Sequence, residues 1–184
     1  MKINKYGKER GVEVKHYIIS SGLKEIIEGT SIGKNFEYIF ASAYIYDTNG
    51  IPIWSANVVN YTSKTQYLFR INKGCCAIND NKTINAYVKQ EDRAAPFSNM
   101  IFIGDGETDI PAMKMVKVNG GHSIAVYNSS KKGKKGNALK LIEEDRVNIV
   151  ASANYSNNKT IDKYVKSIID KIKLDNHIKK LEIK

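Results

Sequence analysis

The chain has 184 residues, of which 42% are hydrophobic and 26% are charged, and this composition suits one globular domain spanning residues 1–184. No stretch is long and apolar enough to span a membrane, and the first ten residues lack the apolar segment of a signal peptide, so we expect a cytoplasmic protein. The net charge of +10 is compatible with phosphorylated substrates, nucleic acid or an anionic surface. The densest cluster of lysines in the chain, at residues 131–135, contains no aromatic residue. This favours a solvated loop over a nucleic-acid interface.

The first predicted strand covers residues 12–19 and ends at Ser20-Ser21-Gly22, and a helical pattern then runs to Gly29. A serine at such a turn offers a hydroxyl and nearby N–H groups to a phosphate oxygen. The structural alternative is that Ser20 only caps the helix.

A hairpin is predicted over residues 37–54, because Asp47-Thr48-Asn49-Gly50 is a strong turn signal between two runs rich in β-branched and aromatic residues. The next helix begins at Thr62-Ser63 and ends near Gly74. Lys64 therefore lies in the first helical turn, where the helix dipole disfavours a cation unless an anion compensates. A surface lysine is the alternative, and Lys73 is a second candidate at the end of the helix.

Residues 75–99 form a predicted polar insertion with one short ordered piece near residues 84–88. The adjacent Cys75 and Cys76 suit neither an ordinary disulfide nor a Cys-x-x-Cys site, so we expect both to be reduced.

An acidic loop follows the apolar strand at residues 100–103, and a helix with Pro111 in its first turn follows the loop. Asp105 and Asp109 lie four residues apart across a glycine turn, so their carboxylates can converge on one Mg²⁺ ion. The alternative is ordinary Asp-Gly turn chemistry.

The remaining sequence predicts a strand at 123–127, a helix at 138–144, a strand at 147–151 and an amphipathic helix with its apolar face between Ile161 and Ile172. The three histidines lie apart in the sequence and are assigned no chemistry.

The string Gly104-Asp105-Gly106-x-x-Asp109 resembles the fourth motif of the haloacid dehalogenase superfamily, especially its phosphoserine-phosphatase-like members. Ser20 and Lys64 resemble the second and third motifs, in the family's order. This resemblance implies a Rossmann-like three-layer α/β sandwich with a mostly parallel sheet. It also implies a small phosphorylated substrate and a Mg²⁺ cofactor held by Asp105 and Asp109. Phosphate would be bound by Ser20, Ser21, Lys64 and Gly106, with Lys64 in a catalytic role.

The chain departs from the family at the first motif, because no Asp-x-Asp occurs anywhere in it. The strand that carries the nucleophile in the family is therefore missing, and the chain is a fragment, a truncated product, or a polypeptide that receives this strand from another segment or chain. The resulting prediction is the C-terminal core of a magnesium-dependent phosphomonoesterase that works through an aspartyl-phosphate and is inactive alone. The alternative is a non-catalytic module that binds anions or nucleic acid.

Overall fold

The structure is a computed structural model that describes residues 2–182 and has an α/β fold. It divides into two compact units. The hairpin unit comprises Lys15–Ala95, and the acidic-loop unit comprises the residues up to Val14 together with those from Pro96 onward. The expectation of one domain over residues 1–184 stays a prediction.

The helices and strands follow one another in this order: α1 (Lys2–Lys8), β1 (Tyr17–Leu23), α2 (Lys24–Glu28), β2 (Tyr38–Tyr46), β3 (Pro52–Asn57), α3 (Ser63–Lys73), α4 (Asn81–Asn85), β4 (Ile101–Gly104), α5 (Ile110–Val118), β5 (His122–Tyr127), α6 (Lys134–Glu143), β6 (Ile149–Ser152) and α7 (Thr160–Glu182). Within residues 2–182, none of these helices combines the length and the apolar character that a membrane crossing requires.

The hairpin unit contains a mixed sheet in the order β1-β2-β3. The first half of β2 pairs in parallel with β1, and its second half pairs antiparallel with β3. The turn between β2 and β3 forms as predicted, since the Asp47 carboxylate accepts the N–H groups of Asn49 and Ile51 and Gly50 has a φ of +78°. The core of the unit centres on the fully buried Phe40 and Tyr67, whose rings stack with centroids 4.6 Å apart.

Polar side chains of α3 hold the predicted insertion in place. The buried Arg70 guanidinium donates to the carbonyl oxygens of Ala77 at 2.6 Å and Ile78 at 2.8 Å. The Asn72 amide donates to the carbonyl of Ala95 at 2.8 Å. These side chains supply hydrogen-bond donors to backbone carbonyl groups of the insertion. The insertion is therefore held in place by residues of α3.

The acidic-loop unit contains an all-parallel sheet in the order β4-β5-β6. Alternate residues of β5 face opposite sides. Ile124 and Val126 pack with Ile161 of α7, whereas Ala125 packs with Met113 of α5. This sheet is therefore covered by helices on both faces.

The predicted elements are present, but several boundaries differ. The first strand begins at Tyr17, not at residue 12, and it continues through Ser20 and Gly22 to Leu23. Ser20 and Leu23 pair with successive residues of β2, so Ser21 and Gly22 form an irregularity in the strand where the sequence predicted a turn. Helix α6 begins at Lys134, four residues before the predicted start.

Candidate functional site

The acidic loop connects β4 to α5 through a short 3₁₀ turn, Glu107–Asp109. Asp109 is buried, with 8% of its surface exposed. One of its carboxylate oxygens, Oδ2, accepts the backbone N–H groups of Asp105 and Gly106, each at 3.2 Å. Asp109 thus holds the loop backbone in place from the inside. The side chains of Asp105 and Glu107 in the same loop are exposed.

Gly104 makes this arrangement possible. A Cβ atom at this position would lie 2.7 Å from the Asp109 Cβ and 2.8 Å from its Oδ2. Such distances are far below ordinary van der Waals contact, so any other residue here would displace the Asp109 carboxylate. Position 104 therefore requires glycine, because the Asp109 side chain packs directly against its Cα atom.

Asp105 is exposed directly beyond the last residue of β4, at the carboxyl end of the parallel sheet. Tyr155, in the segment between β6 and α7, lies near it. The pKa of Tyr155 is raised first by partial desolvation of its ring and then by the negative charge of the Asp105 carboxylate, although much of the tyrosine side chain stays exposed. Tyr155 had no signal in the sequence, because its proximity to Asp105 depends on the order of the strands.

A metal at this loop would have few protein ligands. Across the described part of the chain, no group of three or more His, Cys, Asp or Glu side chains could hold a metal ion. Mg²⁺ commonly uses only one or two carboxylates and keeps several waters. The exposed Asp105 carboxylate fits such a role, whereas Oδ2 of Asp109 is already engaged with two N–H groups.

Asparagine side chains form local hydrogen bonds in the other two loops at this end of the sheet. The Asn128 side chain accepts the N–H of Ser130 at 3.0 Å and its hydroxyl at 2.6 Å. The Asn154 side chain accepts the N–H of Ser156 at 3.0 Å. These asparagines shape turns after β5 and β6.

Ser20 lies in the hairpin unit, where its hydroxyl oxygen accepts the N–H of Gly22 at 3.0 Å. The register between β1 and β2 shifts between Ser20 and Leu23. The capping alternative for Ser20 is wrong, because α2 begins at Lys24 and the residue at its N-cap is Leu23. Ser21 is exposed, and its carbonyl accepts the Ser42 hydroxyl at 3.2 Å.

Lys64 is the second residue of α3 and is buried, with 5% of its surface exposed. The surface-lysine alternative is therefore wrong. A lysine is rarely buried without a compensating partner, and the first turn of a helix supplies N–H donors but few acceptors. The Lys64 side chain is thus surrounded by other parts of the protein and not by water.

The start of α3 is organised by Asn60, which the sequence interpretation overlooked. The Asn60 side-chain oxygen accepts the N–H groups of Thr62 and Ser63, each at 3.0 Å. In return, the Ser63 hydroxyl accepts the N–H of Asn60 at 2.8 Å. This reciprocal pair has the hydrogen-bond pattern of a capping box, although it lies in the turn just before α3 begins at Ser63, and its Asn-x-x-Ser spacing was visible in the sequence.

Lys73, the rival of Lys64, has a structural role. Its ammonium donates to the carbonyl oxygens of Ile84 at 2.6 Å and Ala86 at 2.7 Å, at the C-terminal end of α4. A cation bound to the last carbonyls of a helix is electrostatically favourable. Lys73 therefore binds the end of α4, whereas Lys64 is buried at the start of α3.

The residues predicted for the site fall in both units. Asp105, Gly106 and Asp109 belong to the acidic-loop unit and are brought together by hydrogen bonds. Ser20, Ser21 and Lys64 belong to the hairpin unit. That the two groups meet at one phosphate stays a prediction.

A shallow cleft of about 340 Å³ lies elsewhere in the hairpin unit, beside α2 and the start of β2. Lys24 and Lys34 line it together with Glu28 and Glu37, so its charges are balanced. It includes none of the predicted site residues.

No protein-family model matches the chain. The chain is similar to an uncharacterized protein of Borreliella burgdorferi, with 31% identity over 171 residues. The match covers 84% of this chain and 57% of that protein. The chain thus spans little more than half the length of this relative.

Proposed function

We propose that this chain is the C-terminal core of a magnesium-dependent phosphohydrolase of the haloacid dehalogenase type. Its substrate would be a small phosphomonoester, and the nucleophilic aspartate would lie outside this sequence. The observation that carries the proposal is the acidic loop, in which a buried Asp109 carboxylate holds the backbone of Asp105 and Gly106 at the carboxyl end of a parallel strand. Open α/β sheets bind their ligands at this end.

In this proposal Asp105 is the metal ligand and Asp109 supports it. Bound Mg²⁺ would compensate the negative charge of the substrate phosphate. Asp109 holds the loop backbone at Asp105 and Gly106 by accepting two N–H groups, so this backbone does not have to be ordered when the ion binds.

Lys64 and Ser20 would bind the phosphoryl group. Lys64 is buried in the first turn of α3, so its charge is screened less by water than that of a surface lysine. The Ser20 hydroxyl would donate to a phosphoryl oxygen while its own oxygen still accepts the N–H of Gly22. Ser21 would add its backbone N–H group, whereas the N–H of Gly106 is donated to Asp109 Oδ2 and would have to be shared with the phosphate.

The finer fold assignment, a Rossmann-like sandwich without its first strand, belongs to the same proposal. Along a strand, successive residues direct their N–H and C=O groups to opposite sides. The Met100 carbonyl accepts the N–H of His122, so Ile101 and Ile103 direct their backbone groups away from β5. In the same way, the His16 carbonyl accepts the N–H of Glu37, which turns the backbone groups of Tyr17 and Ile19 away from β2.

Neither β1 nor β4 has a second strand partner within residues 2–182. Parallel sheets are ordinarily covered on both faces, and their interior strands pair along both edges. The apolar residues of both strands, half-buried at Tyr17–Ile19 and Ile101–Phe102 and exposed at Ile103, fit strands that are interior in a larger sheet. We therefore propose that an additional strand, from a further segment or a second polypeptide, completes the sheet and brings the nucleophile. The greater length of the Borreliella burgdorferi relative is compatible with such a segment.

The metal site can be tested without turnover, using Mn²⁺ as a paramagnetic substitute for Mg²⁺ and nuclear magnetic resonance of the ¹⁵N-labelled chain. We expect Mn²⁺ to broaden the amide signals of Gly106 and Glu107, and excess Mg²⁺ to reverse the effect. Asp105→Asn should abolish the broadening. Glu107→Gln, which removes an exposed carboxylate from the same loop, should retain it. Equal broadening in both variants, or none in the wild type, would contradict the site.

Activity supplies a second measurement. Because the nucleophile is absent, we expect the purified chain to hydrolyse p-nitrophenyl phosphate with Mg²⁺ no faster than the buffer control. Turnover that Asp105→Asn abolishes would contradict the missing-nucleophile part of the proposal. A salt-dependent shift with generic RNA or DNA that Asp105→Asn leaves unchanged would instead support the alternative of a basic nucleic-acid-binding module.

A further inference from the structure

The segment that follows β5 carries the densest positive charge of the chain. Lysine occupies every position from 131 to 135 except Gly133, and we call residues 131–135 the basic segment. No acidic residue occurs between residues 128 and 142. The four lysines are exposed, and among the described residues no carboxylate forms an ion pair with any of them. Their charge is therefore left for a partner outside residues 2–182.

The basic segment lies at the same end of the parallel sheet as the acidic loop. β4 and β5 are parallel neighbours, with Gly104 opposite Ala125. Asp105 directly follows β4, and Asn128 directly follows the last residue of β5. Neighbouring strands are about 4.8 Å apart and rise about 3.3 Å per residue, so the Cα atoms of Gly104 and Asn128 are on the order of 10 Å apart.

The two loops also leave the sheet toward the same face. Met113 of α5 and Leu141 of α6 pack in one apolar cluster with Ala125 of β5. The opposite face of β5 is covered by Ile161 of α7. Because the acidic loop leads into α5 and the basic segment leads into α6, the two lie side by side.

The backbone of the basic segment is held by two consecutive turns. The N–H of Lys131 donates to the carbonyl of Asn128 at 3.1 Å, and the N–H of Lys134 donates to the carbonyl of Lys131 at 3.4 Å. Gly133 closes the second turn with a φ of +81°, a conformation that glycine adopts without strain. A ligand would therefore have to order only the lysine side chains, which lowers the entropic cost of binding.

The charges of α6 oppose its own dipole. Lys134 and Lys135 lie in its first turn, which contains no acidic residue, and Glu143 is its last residue. A helix is stabilised by the reverse arrangement, so the two lysines are electrostatically unfavourable unless an anion lies near them. Departures of this kind from local rules are expected at binding sites.

The charge of the segment suits a phosphate group. A lysine ammonium has three donors and binds phosphate as a point charge. Four ammonium groups with no carboxylate between them favour a dianionic phosphate over a carboxylate, which carries a single charge. Since the acidic loop is the proposed position of Mg²⁺ and one phosphate, a phosphate at the basic segment would be a second one, on the order of 10 Å from the first.

We infer that the basic segment binds a second phosphate group of the substrate, so that the substrate is a small bisphosphate of the sugar bisphosphate class. The inference rests on the proposed function, because it takes Mg²⁺ at Asp105 as the position of the first phosphate. It adds the substrate class and assigns a role to residues 131–135.

The experiment compares fructose 1,6-bisphosphate with fructose 6-phosphate, which differ by one phosphate group. Each is added to the ¹⁵N-labelled chain at low salt with saturating Mg²⁺, and amide signals are followed by nuclear magnetic resonance. We expect the bisphosphate to shift the signals of Gly106 and Gly133 with one common dissociation constant. This constant should be lower than that of the monophosphate by roughly 10-fold.

The double variant Lys131→Gln/Lys132→Gln should abolish this preference and leave the affinity for the monophosphate within about twofold of the wild type. The matched control is Lys179→Gln/Lys180→Gln, which removes the same charge from exposed residues in the last turn of α7. These residues lie about 30 Å along the helix from its start after β6, so the control should behave as the wild type. Amide signals outside the altered segments verify that both variants are folded.

Equal affinities of the wild type for the two sugar phosphates, or an equal loss of preference in the control variant, would overturn the inference. Binding of polyuridylic acid that requires Lys131 and Lys132, without binding of the bisphosphate, would also overturn it, because the segment would then bind nucleic acid. A different outcome separates the inference from the proposed function. If Mn²⁺ does not broaden Gly106 but the lysine-dependent preference remains, the metal site is refuted while the phosphate site at the basic segment is supported.

Discussion

The two sheets of this protein are built from similar residues but are buried to very different extents. The middle strand of the acidic-loop unit is buried along its length, with exposed fractions of 0% at Ile124 and 7% at Val126. The middle strand of the hairpin unit is buried at Phe40 but half exposed at Ile45. Parallel strands need crossover connections, and the helices in those connections cover the sheet. An antiparallel hairpin needs only a turn, so apolar residues can extend beyond the helices.

The largest effect is expected for a substitution at Ile124, which is fully buried in the middle strand of the acidic-loop unit. Ile124→Ala should lower the free energy of unfolding of the acidic-loop unit by about 2–5 kcal/mol, because it removes packing against α7 and leaves a cavity. Ile45→Ala should change the stability of the hairpin unit by less than about 0.5 kcal/mol. Hydrogen exchange of β5 and β2 amides, at protein concentrations low enough to avoid association, would measure both. Similar losses in the two variants would contradict the contrast.

A smaller effect is expected at Gly104, where the acidic-loop unit depends on a close contact. Gly104→Ala should destabilise this unit by about 1–3 kcal/mol, since the added methyl group collides with the Asp109 carboxylate. Denaturation by urea would measure the loss.

The matched control for Gly104 is Gly136→Ala in α6. An added Cβ there meets no atom within 4 Å, and alanine is the better helix former. This variant should be more stable by up to about 1 kcal/mol. Loss of stability in both variants would show that the crowding at Gly104 is not the cause.

The smallest expected effect is a dependence of stability on pH that both units share. Burial lowers the pKa of His16 in the hairpin unit and of His122 in the acidic-loop unit below the ordinary value of 6.5. Each unfolded unit therefore binds a proton before the folded unit does. Stability is complete above about pH 6.5 and falls as the pH drops from there towards the folded pKa.

The pH effect can be measured by unfolding the protein at pH 7.5 and pH 5.5. His122→Gln should reduce the loss of stability between the two pH values. His177→Gln, which changes an exposed residue of α7, should leave it as in the wild type. A pH dependence that is the same in all three proteins would exclude His122 as its source.

Sequence patterns located much of what matters here because the signals were local. Each of three features follows from the preferred backbone conformation of a few residues: the turn at Asp47–Gly50, the end of α3 at Gly74 and the first turn of α5, which contains Pro111. The acidic loop was recognised for the same reason, since its glycines and aspartates are contiguous. Asn60 was missed although its signal was equally local.

Other properties depended on distant neighbours. Residue types predicted that the strand ends in a turn at Ser20, but the strand continues to Leu23, which pairs with Ser42 of β2 beyond a shift in register. Lys64 and Lys73 lie in one helix of the same sequence pattern, yet one is buried and the other caps α4. No local pattern distinguishes two lysines whose surroundings are supplied by other parts of the chain.

By itself, the sequence determined the α/β class, the position of the hairpin and the residues of the acidic loop, because propensity, hydrophobic period and turn chemistry act over a few neighbouring residues. Only the tertiary structure decided that Asp109 is buried while Asp105 is exposed, that Lys64 is removed from solvent, and that the hairpin residues are left uncovered. The physical reason is that burial depends on the order of strands and the placement of helices, which contacts between residues far apart in the chain determine.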